Sequence, residues 1–491
     1  MNQYWILVAI LLPILGGVAV RFLPYKKKWE LYLFLEIIMV TTSLIVWGLI
    51  LGGPTEVFHV VHFFNDLSIS FKIDGMTMVF AGLVSILWPL ATLYAFEYME
   101  HHDRQETFFM FYSMAYGVTL GIAFASDMLS MYFFYELLTL STVPLVMHTL
   151  KREAVLASRK YLYYSLGGAA FALMGMVFLM VYGDTLEFTL GGVLSADKMA
   201  GNEGILLWIY LFAFLGFGVK AAIFPVSEWL PTAGVAPTPV TALLHAVAVV
   251  KAGVFAIIRL TYYSFGTEFL RGTWVQNVVM ALAMFTTVYG CSRAVKESHI
   301  KRRLAYSTVS NLSYIIFGVT IMTPMGLVGA LCHLICHAVM KICSFMCAGA
   351  FMHQTGKKYI FDMDGLGWKM PIVFCTMTFS GMGLMGVPGL AGFVSKWNLA
   401  AAAVDSKNPL AYAGIACLLV SALLTAIYMM SVTMRAFFPP WGFDREAIAG
   451  AKDPGWKMCF PIILCAVFTV LLGLFSSPLV QFFRDVAAGI Y

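Results

Sequence analysis

Long apolar runs, each closed by a short polar cluster, make up most of this chain. A run of about 20 apolar residues crosses the roughly 30 Å hydrocarbon core of a bilayer as a helix. In lipid, only helices and closed barrels satisfy every backbone N–H and C=O. These runs are too long and too continuous for barrel strands. The pattern therefore predicts an all-α polytopic membrane bundle of fourteen transmembrane helices. They fall at residues 5–23, 31–51, 76–96, 108–125, 128–148, 161–182, 205–230, 240–260, 275–291, 304–323, 326–351, 370–404, 410–434 and 458–475. One stretch departs from this pattern. Residues 58–64 and 67–73 read as strands, with Ile69, Phe71 and Ile73 alternating with Ser70, Lys72 and Asp74. Asn65-Asp66 is the expected turn of a small outer β-hairpin. No linker or soluble domain interrupts the chain, so residues 1–491 read as a single membrane domain.

Composition agrees with the pattern. The 491 residues are 60% hydrophobic and 12% charged, against about a quarter charged in soluble domains. The net charge of +5 needs no nucleic-acid partner, because basic loops supply it. The apolar N-terminal stretch reads as an uncleaved first span, since no basic segment precedes it. All nine cysteines follow residue 290, mostly inside apolar runs, and suggest no disulfide framework. The basic residues cluster in alternate loops: Lys26, Lys27 and Lys28; Lys151, Arg152, Arg159 and Lys160; Arg293, Lys296, Lys301, Arg302 and Arg303. Cytoplasmic loops carry the excess of Lys and Arg. The expected location is the inner (plasma) membrane, multi-pass, with both termini outside.

The informative residues are those that should not lie in a membrane. Lys220, Lys251, Lys341 and Lys396 remain after the loops are accounted for, and Glu136, His245, His333 and His337 fall near span centres. A lysine or acid at a helix centre costs about 2.5–3.5 kcal/mol on insertion scales, and such groups usually mark ion pathways. Blander readings exist: Glu136 and one lysine as a structural ion pair, His245 as a bonded core histidine, Lys341 as a counter-charge. They account less well for so many ionisable groups on several helices. Two spans are also interrupted. Residues 205–230 contain Gly216, Gly218 and Pro225, with breaks expected at Gly218 and Pro225. Residues 370–404 would run about 50 Å as one helix and contain Gly381, Gly383, Gly386, Pro388, Gly389 and Gly392, with the break expected at Gly386, Pro388 and Gly389. Each interrupted span carries a lysine beside its break, Lys220 or Lys396. Broken helices in corresponding parts of two halves point to a transport site. In the eleventh span, Cys332, Cys336, Cys343 and Cys347 form one stripe, and His333, His337 and Lys341 a neighbouring one. Paired histidines can ligate zinc or haem iron, but a lysine in the stripe repels a cation. No metal and no cofactor are expected. Walker, dinucleotide and iron–sulfur signatures are absent.

Specific motifs then narrow the class. Phe134-Tyr135-Glu136-Leu137-Leu138 resembles the fifth-helix motif of the antiporter-like subunits of respiratory complex I, which belong with Mrp cation/proton antiporters and membrane-bound hydrogenases. Trp229-Leu230-Pro231, with the stretch from Pro237 through His245 and Ala246, looks like that family's most specific signature. The run Arg303 to Ser310, and Gly386-Val387-Pro388-Gly389 through Phe393 and Lys396, are similar to two more. The resemblance covers nearly the whole chain. It implies fourteen helices, with inverted five-helix repeats at residues 105–260 and 274–436. It implies a proton relay through Glu136, Lys220, His245, Lys251, His333, His337, Lys341 and Lys396, in which Glu136 pairs with Lys220 and Lys396 is the terminal lysine. Partners would be other membrane subunits, including homologous antiporter-like ones, with protons or sodium ions as cargo. There are two departures. Thr232 stands where the family is often acidic, and the chain ends soon after its last span, without the long lateral helix of the family's largest member. The expected function is proton translocation in a redox-driven complex of the complex I or hydrogenase type. The alternatives are a subunit of an Mrp sodium/proton antiporter and, from another class, a haem- or quinone-binding redox subunit.

Overall fold

The computed structural model describes residues 3–64, 67–443 and 446–491. The chain opens with α1 (Tyr4–Phe22) and α2 (Lys28–Leu51). Strands β1 (Phe58–Phe64) and β2 (Leu67–Phe71) follow as an antiparallel pair, with Phe58 opposite Phe71. The turn expected at Asn65-Asp66 lies outside the described residues. β2 stops at Phe71, short of the expected residue 73, because Asp74 caps the next helix: its carboxylate accepts from Thr77 N at 2.9 Å. The hairpin is tied to the bundle where Ser70 N donates to Ser130 Oγ at 2.8 Å.

The first half continues with α3 (Gly75–Tyr98), α4 (Gln105–Phe124), α5 (Met128–Val146), α6 (Arg152–Tyr182), α7 (Glu203–Lys220), α8 (Thr238–Ala246) and α9 (Val249–Ile258). A π-helical turn, Arg259–Phe265, extends α9. Then come α10 (Trp274–Lys296), α11 (Ile300–Thr320), α12 (Pro324–Thr355), α13 (Pro371–Met385), α14 (Ala391–Asp405), α15 (Pro409–Phe437), α16 (Trp456–Leu474) and the short α17 (Ser477–Ala487).

Among the described residues, twelve helices are long and apolar enough to cross a membrane, with α8, α9 and the π turn counted as one continuous segment. Two expected spans are not among them. The span at 304–323 lies on α11, which opens with Lys301, Arg302 and Arg303 and is rich in Ser, Thr and Asn. The span at 370–404 is divided between α13 and α14. Burial explains how a polar helix is tolerated: every residue of α11 except Arg302 is buried in protein. His245, Lys251, His333, His337 and Lys341 lie on the most enclosed helices. The α8–α9 segment is buried along its whole apolar window and α12 over 94% of it, against 33% for α2 and α15. The outer helices expose mostly apolar side chains, such as Leu33, Ile37 and Leu44 of α2 and Leu419, Leu423 and Ile427 of α15.

Loop contacts sort into two faces. On one, Arg21 pairs with Glu106, Lys160 with Glu228 and Arg435 with Asp364, while Lys301 donates to the Ala236 carbonyl. On the other, Lys72 donates to the Phe188 carbonyl and Thr189 N to the Tyr263 carbonyl. The first is the face of the basic loops.

Candidate functional site

Both interruptions place a lysine at a broken helix end. α7 runs through Gly218 and ends at Lys220, so Gly218 is not itself the break; the interruption spans residues 221–228 and includes Pro225. Gly218 carries no backbone strain that would end a helix there, and the chain turns away only at Ala222, whose φ is 54°. Lys220 Nζ lies 3.7 Å from Glu136 Oε1, donates to the Tyr135 carbonyl and sits 3.4 Å from the centre of the Tyr135 ring. Gly253 of α9 permits this approach, since a Cβ there would come within 2.5 Å of Ala221 N.

In the second half, α13 ends at Met385 and α14 begins at Ala391. Gly386 and Gly389 take φ of 93° and 86° in the gap, which only glycine adopts at little cost. The last carbonyls of a helix have no intrahelical donor. Here Lys396 Nζ supplies one, donating to Leu384 O at 2.8 Å and Met385 O at 2.9 Å.

A buried polar line runs from Lys251 toward Lys396. The eighth span was expected to be continuous, but it is broken between Ala246 and Val249, with His245 on one side and Lys251 on the other. No proline or glycine marks the point, so only tertiary packing creates it. Lys251 Nζ is 2.8 Å from His337 Nδ1. The His337 and His333 rings stack 5.9 Å apart, and His333 Nδ1 is 2.9 Å from Ser395 Oγ, next in sequence to Lys396. The Tyr314 ring lies between, 5.0 Å from the His333 ring and 5.1 Å from Lys396 Nζ. Lys341, one turn past His337, points elsewhere and donates to Ser307 Oγ at 2.7 Å. The His245 ring lies 4.6 Å from the Phe345 ring, tilted against it by 31°, and neither of its nitrogens has a protein partner among the described residues. Imidazole can donate at one nitrogen and accept at the other, so stacked, bonded histidines can pass a proton.

Sequence reasoning missed a second buried charge group on the face opposite the basic loops. Arg259 is fully buried and grips Asp74 with two bonds of 2.7 and 2.8 Å. Lys72 lies 3.8 Å from the same carboxylate. Burial by itself would raise the Asp74 carboxyl, but the Arg259 guanidinium, with Lys72 and the Thr77 amide, holds it down at about 2. An arginine inside an apolar run was the available signal, since such a residue requires a carboxylate. Ser307 and Ser395 carried no comparable signal, because serine is common in membrane helices.

With this geometry in place, the chain's relatives are informative. Residues 125–427 match the family described as NADH:quinone oxidoreductase/Mrp antiporter, TM, and residues 62–109 match the NADH-ubiquinone oxidoreductase (complex I) chain 5 N-terminus. The chain belongs to the NADH:quinone oxidoreductase/Mrp antiporter transmembrane family. As a member, it is an antiporter-like, multi-pass membrane subunit. It is 27% identical to NADH-quinone oxidoreductase subunit N of Desulforudis audaxviator, over 98% of each chain. It is also 27% identical to a probable K(+)/H(+) antiporter protein of Rhizobium meliloti, over 94% of this chain but 47% of that one. Its fold is that of a chain in the Mrp complex from a Dietzia species (TM-score 0.83, 22% identity, 100% and 98% covered). A chain of the archaeal membrane-bound sulfane sulfur reductase matches similarly (TM-score 0.85, 22% identity, 99% and 97% covered). In this antiporter family member, Glu136 pairs with Lys220, and Lys251, His337, His333 and Ser395 form a separate set of contacts toward Lys396, while Asp74 pairs with Arg259.

Proposed function

We propose that this chain translocates protons as one membrane subunit of a larger redox-driven complex, of the complex I or membrane-bound hydrogenase type. Lys220, released from or held by Glu136, exchanges a proton with the centre of the bundle. Lys251 with His337, then His333 with Ser395, pass it toward Lys396. His245 and Lys341 flank that line within the same enclosed helices. Fourteen crossings, with α11 and the α13–α14 pair included, would place residues 105–260 and 274–436 as inverted repeats and both termini outside. The observation that carries the reading is the 2.8 Å contact between Lys251 and His337, which links a lysine of the first half to a histidine of the second in helices sealed from lipid. Coverage of nearly the full length of a quinone oxidoreductase subunit N favours the redox-driven setting.

A second reading has its own support. The chain is 28% identical to a Na(+)/H(+) antiporter protein of Alkalihalophilus pseudofirmus, over 87% of this chain and 55% of that one. Under it, an ion gradient drives the exchange and sodium is the second cargo. The test is purification of the intact complex and reconstitution into proteoliposomes. Proton uptake driven by an electron donor, abolished by Lys251→Met, supports the first reading. Proton flux driven by a sodium gradient, with no redox subunit co-purifying, replaces it with the second. Undiminished flux in Lys251→Met removes the relay from both.

A further inference from the structure

Basic loops attract the anionic lipids of the cytoplasmic leaflet in membrane proteins generally. One basic loop here also walls a cavity. At the face of the basic loops, where α1 ends and α2 and α4 begin, a cavity of about 570 Å³ is lined by Arg21, Tyr25, Lys26, Lys27, His102 and Arg104, together with Lys28 and the first residues of α4. That volume suits a small ligand or a lipid headgroup. Five lining residues are Lys or Arg, and one, Glu106, is acidic. Glu106 is already paired with Arg21 at 3.3 Å, and the nearby Glu30 carboxylate accepts from the backbone amides of Lys26 and Lys27. Lys28 donates to the Glu100 carbonyl at 2.7 Å. The side chains of Lys26, Lys27 and Arg104 thus have no carboxylate within ion-pair distance among the described residues.

Two lining residues hold a buried polar atom with no hydrogen-bond partner among the described residues: the Tyr25 hydroxyl and His102 Nδ1. A phenol hydroxyl can donate, and a neutral imidazole can donate at one nitrogen. α4 turns its first residues, Gln105, Glu106 and Thr107, toward the cavity, and its N-cap, Arg104, supplies no side-chain cap. First-turn amides have no intrahelical acceptor and favour an anion. Positive charge and spare donors together suit a phosphate and repel a cation. The rim indicates where that phosphate comes from. Phe22, next to Arg21, and Trp29, next to Lys28, are exposed, as is Leu23. They belong to the ends of α1 and α2, which are only 39% and 33% buried over their apolar windows. Tryptophan at this level marks a membrane–water interface, so the cavity opens beside lipid.

We propose that this cavity binds the phosphate of an anionic phospholipid from the leaflet on the basic-loop side. Lys26, Lys27 and Arg104 neutralise the phosphate, and the Tyr25 hydroxyl and His102 donate to its oxygens. The acyl chains lie along the exposed apolar surface of α1 and α2. A lipid held this way bridges the α1–α2 loop and the start of α4. The site is independent of the buried lysines and of the relay proposed for them.

The test uses the assembled complex in phosphatidylcholine vesicles doped with phosphatidylglycerol that carries a photoactivatable group on its headgroup. Crosslinks mapped by mass spectrometry should fall within residues 21–31 and 102–107. Unlabelled phosphatidylglycerol should compete, whereas extra phosphatidylcholine and inorganic phosphate should not. Each cation at the surface contributes about fivefold in affinity, so Lys26→Gln/Lys27→Gln/Arg104→Gly should weaken binding about a hundredfold. Glycine replaces Arg104 because φ there is 58°, which glycine adopts at little cost, so the variant should assemble. Tyr25→Phe should weaken labelling severalfold at an unchanged melting temperature, since the hydroxyl has no protein partner to lose. The matched control Lys151→Gln/Arg152→Gln/Arg159→Gln removes three charges from another basic loop and should label like wild type. Equal loss in the two triple variants would reduce the effect to general surface attraction and overturn the site. Competition by inorganic phosphate as strong as that by phosphatidylglycerol would assign the cavity to a soluble anion and overturn the lipid. Absence of crosslinks in both segments would overturn it as well, and resistance of Lys26 and Lys27 to acetylation would then show a neighbouring subunit covering the cavity.

Discussion

Lys396 is expected to do two things that substitution can separate. It donates to Leu384 O and Met385 O at the broken end of α13, and in the proposed relay it takes up and releases a proton. Lys396→Met keeps the approximate length but removes both abilities. A hydrogen bond from a charged donor contributes about 1.5–3 kcal/mol. Two lost bonds at this half-buried site should therefore cost about 3 kcal/mol or somewhat more, after partial replacement by solvent. The methionine variant should assemble with a lowered melting temperature and no proton flux. Lys396→Arg is the cleaner probe. Its guanidinium can still serve both carbonyls, so stability should stay near wild type. With a pKa above about 12, however, it releases a proton at pH 7 at a cost of about 7 kcal/mol, a slowing of about 10⁵-fold. Flux should therefore vanish while the complex stays intact, as read by a pH-sensitive dye in proteoliposomes and by thermal unfolding of the same preparation. Full flux in the arginine variant, together with failed assembly of the methionine variant, would show that Lys396 serves only to cap the helix.

Other tests bear on separate parts of the molecule. Glu136→Gln should cripple flux while preserving the fold, because the amide can still accept a hydrogen bond but cannot stabilise charged Lys220; normal flux would make the pair structural. Asp74→Asn should destabilise the protein by about 3–5 kcal/mol, since it leaves Arg259 buried and unpaired. In the wild type, the folded carboxyl at about 2 lies below its ordinary value of 3.8. The Asp74 contribution, about 2.5 kcal/mol, is thus complete above pH 4 and is lost as pH falls toward 2. A denaturation series in which wild type and Asp74→Asn lose stability in parallel over that window would contradict the pairing. Cysteines placed at Lys27 and Lys358 should label from the same side of the membrane, and labelling from opposite sides would refute the two-face arrangement. The purified protein should show no haem absorbance, and a stoichiometric haem spectrum would revive the haem-binding alternative.

The sequence by itself determined that this is a helical membrane protein, because apolar run length and the need to satisfy every backbone group in lipid leave no other architecture. It also exposed most of the candidate site. Lysines, histidines and a glutamate inside apolar runs are costly enough to be conspicuous without any structure, and Pro225, Gly386, Pro388 and Gly389 announced the interruptions. Other features depended on which helices face one another. The break between Ala246 and Val249 has no proline or glycine to signal it. Arg259 finds Asp74 across 185 positions of chain, and Gly218, a plausible breaker on paper, lies inside a regular helix. The resemblance implied the Glu136–Lys220 pair, but the partners of Lys251 and Lys341 were hidden, since one periodicity places Lys341 and His337 on a shared stripe whether or not their polar ends meet. Packing turned Lys251 toward His337 and Lys341 toward Ser307, because each ammonium in a water-poor interior must end against whichever acceptor the neighbouring helix presents.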